Sequence, residues 1–374
     1  MKRISLTEPI IKDEMVDAVT TALRNEYFLR GKSVELFEEE FAKYIGVKYA
    51  IAVNSGTSAL HLSLVALGIG EGDNVVTTPA TFIATANAIV YTHAEPVFAD
   101  ISRDTYTIDP GKIRELLEED NGAIKAIIPV HLYGYPCDMR NLYKIAREYD
   151  IKVLEDACQA HGAIHDGKKI GACGDAAAFS FYSTKNMVVA GDGGMVTTDD
   201  EEIANKISSL RDVGRDKERP DVHNYIGYTN RMSTMNAAFG RVQLTYLDAW
   251  TQKRRAIAKK YREELEDVEA LILPPEQSGH HIPAWHLFVI RAQSRRDELK
   301  EFLEKKGIQC GIHYPLPVHL QPPYRERGYR VGMLPESEKW AKEVLSVPMH
   351  PNLAEDDIDY VALSIREFLG GAKR

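Results

Sequence analysis

The chain has no Cys-x-x-Cys pair. Its four cysteines, Cys137, Cys158, Cys173 and Cys310, are scattered, which argues against both a disulfide framework and a zinc cage and fits a reducing cytoplasm. Positive charge is also short: 46 Lys and Arg stand against 55 Asp and Glu, a formal net charge of -9. Neither a nucleic acid nor an anionic membrane surface is therefore an expected partner. Apolar runs such as AIIPVHLYGY are broken well short of the roughly 18 residues that a membrane helix needs. At the N-terminus, Asp13 and Glu14 interrupt any apolar signal core, so no secretory leader is expected. A GxGxxG fingerprint is missing near the start, and GDGGMV follows the lysine-bearing strand instead of preceding it. That order disfavours a nicotinamide-dependent reductase. No internal repeat or low-complexity tract is visible.

What is present is an ordinary globular composition, 374 residues with 44% hydrophobic and 27% charged, long enough for two domains. From Val16 onward, helical and strand-like patterns alternate, which implies an α/β fold with helices on the faces of a largely parallel sheet. FEEEFAKYI and TSALHLSLVAL have helical spacing. YAIAV, NVVTTP, AIKAIIPV, IKVLEDA, AAAFSFYS and GGMVTT read as buried strands, each short, apolar and bounded by turn residues. A long helical pattern over about 236–269 links this part to a smaller α/β unit containing HLFVI, RRDELKEFLEKKG and DDIDYVALSIREFL. The expected boundary is near 245, with a large domain over 1–245 and a small C-terminal domain over 246–374.

An open parallel sheet binds ligands at the carboxyl ends of its strands, so polar residues just after strand patterns carry the first functional hypotheses. Four places qualify. The turn NSGT after YAIAV opens a helix whose free N–H groups suit an anion, although Ser55 or Thr57 could equally be a plain N-cap. Phe82 follows NVVTTPAT. Asp156 ends the strand IKVLED and needs a cationic partner if it is ionised inside the protein; capping the next helix is the alternative. Lys185, in FSFYSTKNMVV, could snorkel at a strand edge. Partial desolvation would instead make its amine a nucleophile towards a carbonyl.

Taken in order, SGTSAL, TPATFIAT, EDACQAHGA, SFYSTKN, GDGGMV, GYTNRMS and HYPLPVHLQPPY closely resemble the DegT/StrS family of nucleotide-sugar aminotransferases, over residues from about 5 to 370. The resemblance implies a fold-type-I enzyme dependent on pyridoxal 5'-phosphate (PLP), which cycles with its pyridoxamine form. A seven-stranded large domain and a smaller C-terminal α/β domain would follow, as would a cytoplasmic homodimer with shared active sites. By position, Lys185 resembles the Schiff-base lysine and Asp156 the partner of the pyridine nitrogen. Gln159 falls beside the phenolic oxygen, Phe82 against the ring face, and Gly56, Thr57 and Ser180 around the phosphate. In GYTNRM, Thr229 stands where many relatives carry Asn or Lys, so Asn230 takes the place of the residue that reaches the cofactor phosphate from a partner subunit.

The implied reaction passes the amino group of glutamate to a keto sugar on a nucleotide, for amino-sugar and polysaccharide biosynthesis, with the Lys185 amine carrying the proton. A dehydratase branch of the family has histidine in place of this lysine, so Lys185 favours transamination. HYPLPVHLQ resembles the loop lining the sugar site of members acting on 3-keto sugars, which makes Tyr314 and His319 candidate substrate contacts. A 4-keto enzyme of the perosamine-synthase type is the near alternative, and a non-catalytic regulatory homologue the distant one. His313 and His319 have two prolines between them and no third ligand in view, so no metal is expected.

Overall fold

The computed structural model describes residues 3–370. Its centre is a seven-stranded sheet with spatial order Tyr49–Val53, Gly194–Thr198, Ala176–Ser180, Lys152–Asp156, Ile124–Ile127, Asn74–Thr77 and Glu95–Phe98. Gly194–Thr198 runs antiparallel to both its neighbours, and the other pairings are parallel. The strands are apolar on both faces because helices cover both. Ala52, Val76, Ile127, Val153, Ala177 and Phe179 pack on one side with Phe37 and Phe41 of the helix Lys32–Ile45. Ile51, Val53, Val75, Ala126, Leu154 and Ala178 pack on the other with Leu60 of Gly56–Ala66. Each fully buried large side chain contributes roughly 1.5–3 kcal/mol, so the sheet centre is the most firmly held part of the scaffold.

The long helix is Thr234–Leu265, and the expected boundary at 245 falls inside it. Its Ala237 and Leu247 belong to the large core, while Ile257, Ala258, Tyr261 and Leu265 belong to a second core. That second core surrounds a three-stranded antiparallel sheet of Leu271–Ile272, Phe288–Ala292 and Val344–Val347. Ile4 pairs with Ile308 and is buried there, so the smaller unit takes in chain from both ends of the sequence. A small ribbon also joins the two units, His281–Ile282 pairing with Ile164–His165. Among the described residues, no helix is long and apolar enough to cross a membrane.

Candidate active site

The carboxyl ends of the central strands gather the predicted residues. Asp156 is the last residue of its strand and is 5% exposed. Its Oδ2 accepts a hydrogen bond from Thr85 Oγ1 at 2.7 Å, and its Oδ1 accepts the Cys158 N–H at 3.2 Å. Thr85 spends its proton on Asp156, so Thr81 Oγ1, 2.9 Å away, must be the donor in that pair. These two donors hold the carboxylate and leave it lone pairs for a cation.

Ser55 is the N-cap of Gly56–Ala66, its hydroxyl accepting the Ser58 N–H. The cap accounts for Ser55 and leaves the N–H groups of Gly56 and Thr57 without intrahelical acceptors. Helix end and dipole together favour an anion at this point. Ser180, the last residue of its strand, lies against Gly56: a Cβ at Gly56 would stand 2.7 Å from Ser180 Cβ and 2.9 Å from Cys158 Sγ. Only glycine lets this helix end close on the strand.

Lys185 follows the same strand by a short turn, its N–H donating to Tyr182 O at 2.9 Å. Burial holds its amine below the ordinary lysine range, against the opposing pull of Cys158 and Asp156. Gln159 is 6% exposed. Its Oε1 accepts the Tyr133 N–H at 2.8 Å and its Nε2 lies 3.3 Å from Tyr314 Oη. Burial keeps the Tyr314 phenol protonated far above neutrality. Its ring faces that of Phe82, with centroids 5.9 Å apart, and Phe82 is 54% exposed. The Phe82–Tyr314 pair reaches Gln159 through Tyr314, Asp156 and Cys158 lie within electrostatic reach of both the Tyr314 phenol and the Lys185 amine, and Cys158 borders the anion cradle at Gly56.

Two of the sequence candidates sit differently. His319 is fully buried, with Nε2 3.2 Å from Glu338 Oε1 and its ring against Phe98 and Tyr329. It braces the loop from the inside, on the turn Val318–Leu320. Asn230 is half-buried, and its carbonyl accepts the Asn54 N–H at 2.9 Å, beside the strand end that precedes the cradle. Two partners of the site have no counterpart among the candidates read from the sequence: Thr85 and Cys158. The hydroxyl spacing in TPATFIAT, with Thr81 and Thr85 four apart, was the available signal for the first. Cys158 lies within EDACQAHGA, so the motif itself was the signal for the second.

The residues fit PLP: a cradle too tight for a Cβ, a buried carboxylate for a pyridinium, an amide donor for a phenolic oxygen, an open aromatic face and a lysine with a depressed pKa. The family model for the DegT/DnrJ/EryC1/StrS aminotransferases matches residues 9–366. The chain belongs to this family. As a DegT/DnrJ/EryC1/StrS member it is a PLP-dependent aminotransferase of fold type I. It is 42% identical to a pleiotropic regulatory protein of Geobacillus stearothermophilus, covering 96% of this chain and 95% of that one. Similarity to the dTDP-3-amino-3,4,6-trideoxy-alpha-D-glucose transaminase of Streptomyces venezuelae is 39% identity over 96% and 93%. The solved structure of S. venezuelae DesV superimposes with a TM-score of 0.94 at 37% identity, covering 100% of both chains.

Proposed function

We propose that this aminotransferase moves the amino group of glutamate onto the keto carbon of a nucleotide-linked sugar, with a 3-keto substrate favoured over a 4-keto one. The observation that carries the reading is the Lys185 amine, its pKa depressed by burial and within electrostatic reach of Asp156 and Cys158, the latter lying against Gly56 of the cradle. PLP supplies the electron sink when bound. The chain's own residues do the rest. Lys185 is the nucleophile towards the cofactor's aldehyde and afterwards moves the proton at the substrate carbon. Asp156 would partner the pyridine nitrogen, Gln159 would donate to the phenolic oxygen, Phe82 would lie against the ring, and Gly56, Thr57 and Ser180 would hold the phosphate. Tyr314, with its proton retained, offers a hydrogen bond to the sugar. The relative named for a dTDP-3-amino sugar supports the 3-keto preference.

A homodimer completes this reading, with Asn230 serving the partner's phosphate. Ile226 is 96% exposed, Tyr27 83% and Phe28 63%, large apolar side chains of the kind a second subunit covers. Four free thiols support a cytoplasmic setting. The test is an assay of the purified PLP-loaded protein with glutamate against matched 3-keto and 4-keto nucleotide sugars, product being read by mass. Turnover of the 4-keto panel alone overturns the 3-keto preference, and turnover with other amino donors but not glutamate overturns the donor.

A regulatory role is suggested by the names of relatives, the Geobacillus protein and a sensory transduction protein of Saccharopolyspora erythraea among them. The assembled Lys185, Asp156 and Gln159 favour catalysis, because a regulator has no need of a reactive amine in a desolvated pocket.

A further inference from the structure

Glu155 precedes Asp156 on the strand, and the alternation of a strand sends it to the opposite face. It is fully buried. Its Oε1 accepts the N–H groups of Cys173 and Gly174, each at 2.8 Å, and its Oε2 accepts that of Gly171 at 3.1 Å. The remaining partner is His131 Nε2, 3.2 Å from Oε2, and His131 is also fully buried. The other ring nitrogen, Nδ1, faces the Cys137 N–H at 3.0 Å. A backbone N–H can only donate, so Nδ1 is the lone-pair nitrogen and the ring proton sits on Nε2, directed at Glu155. One tautomer satisfies both contacts. Through it, the carboxylate fixes both ends of the loop 131–137.

That loop carries Tyr133 at φ 58, a left-handed conformation uncommon for a bulky residue, which persists where the surroundings over-determine it. From there the Tyr133 N–H donates to Gln159 Oε1, while the Tyr133 and Gly134 carbonyls accept the N–H groups of His286 and Ala284. With its oxygen engaged, Gln159 has only its NH2 left to present on the side of Tyr314.

We propose that His131, held by Glu155, is a positioning residue for Gln159: it sets the 131–137 loop so that the Tyr133 N–H occupies the Gln159 oxygen and the amide meets the cofactor only as a donor. The proposal rests on the reading that Gln159 faces the cofactor's phenolic oxygen. Released from the loop, the amide is free to turn its oxygen towards another oxygen, which weakens binding and changes the proton affinity of the bound cofactor.

The experiment is a double-mutant cycle on the PLP-loaded protein, using His131→Asn, Gln159→Ala and both together. Asn retains an acceptor for the Cys137 N–H and cannot reach Glu155. The readouts are the PLP dissociation constant and the pH midpoint of the bound cofactor's visible absorbance, with thermal unfolding as a check on folding. His131→Asn is expected to weaken PLP binding about tenfold and shift the midpoint when Gln159 is present, and to do neither when position 159 is Ala. Equal effects in both backgrounds, or no effect of His131→Asn, overturn the positioning role. If Gln159→Ala alone leaves the absorbance midpoint in place, the placement of Gln159 against the cofactor is at fault, and the proposal falls with it. Should His131→Asn fail to fold, Glu155→Gln makes the same test: whichever way its amide turns, the NH2 meets two donors, Gly171 N–H and His131 Nε2–H or Cys173 and Gly174 N–H, so the hold on the His131 loop is loosened and the same coupling to Gln159 is expected.

Discussion

Thr85 Oγ1 lies 2.7 Å from Asp156 Oδ2, joining a short helix to a strand end 71 positions later in the chain. The contact is charge-assisted and almost entirely out of water, Thr85 being 1% exposed. Hydrogen bonds to charged groups contribute roughly 1.5–3 kcal/mol.

Thr85→Val keeps the shape and removes the donor, so Asp156 loses one of its two holders. PLP affinity is expected to fall about tenfold, with kcat falling as well. Thr85→Ser restores the hydroxyl and is expected to stay within about threefold of the parent. Equilibrium dialysis of PLP and steady-state rates for the three proteins check this. Unchanged affinity in Thr85→Val would mean that Asp156 needs no hydroxyl to hold it.

The contrast between Thr85 and Lys185 marks what the sequence made legible. Lys185, Asp156 and the Gly56–Thr57 turn each follow a strand pattern, and in an open α/β sheet that position is the ligand side, so a local signal sufficed to make them candidates. The central sheet and the long helix were readable for the same reason, since the central strands are buried on both faces and the helical spacing is clear, whereas the half-exposed edge strand Glu95–Phe98 offered no such pattern. The partners of these residues were not. Glu155 meets His131 across 24 positions and Gln159 meets Tyr314 across 155, and no periodicity encodes such pairs. His319 illustrates the converse. Its loop resembles a sugar-site loop, yet the turn at Val318–Leu320 points its ring inward to Glu338, a direction that prolines at 315 and 317 do not reveal on their own.

Replacing Lys185 separates binding from chemistry. Lys185→Ala removes the proposed nucleophile and proton carrier, and turnover is expected to drop by about 10^4-fold or more. Binding of PLP persists through the cradle and Asp156 and is seen as cofactor retained on gel filtration but released on denaturation. Borohydride followed by peptide mass is expected to label position 185 in the parent and nothing in the variant. Lys185→Arg is expected to be equally inactive, because a guanidinium stays protonated and cannot attack a carbonyl. Substantial turnover by either variant would reassign the amine.

His161 gives the protein a pH dependence in stability. It is 1% exposed between Phe179 and Phe181, and burial, with the Lys185 charge adding to it, pushes its pKa down to about 3. The unfolded chain binds a proton at this site near pH 6.5, whereas the folded chain does not. Stability from this residue is therefore fully present above about pH 6.5 and is lost as the pH falls from there towards about 3, by a few kcal/mol in all. His161→Leu removes the titration. Urea midpoints measured from pH 7.5 to pH 4.5 are expected to fall less steeply for the variant than for the parent, and parallel curves would show that acid acts elsewhere.

Gly56 ties the proposed phosphate cradle to the fold at a single atom. An added Cβ meets Ser180 Cβ at 2.7 Å and Cys158 Sγ at 2.9 Å, both closer than packed carbon and sulfur tolerate, and the Ser180 Cα behind them at 3.3 Å is backbone that cannot swing aside. Gly56→Ala must therefore push the helix end away from the strand, which moves the Gly56 and Thr57 N–H groups off the anion they are placed to hold. Charge-assisted bonds of this kind weaken steeply with misalignment. PLP affinity is expected to fall by at least about tenfold, while Ser55 still caps the helix and thermal stability without cofactor drops by only about 1–3 kcal/mol. The decisive comparison is PLP against pyridoxal, which lacks the phosphate: the substitution should weaken the first strongly and the second hardly at all, and an equal loss for both would place the phosphate away from this helix end.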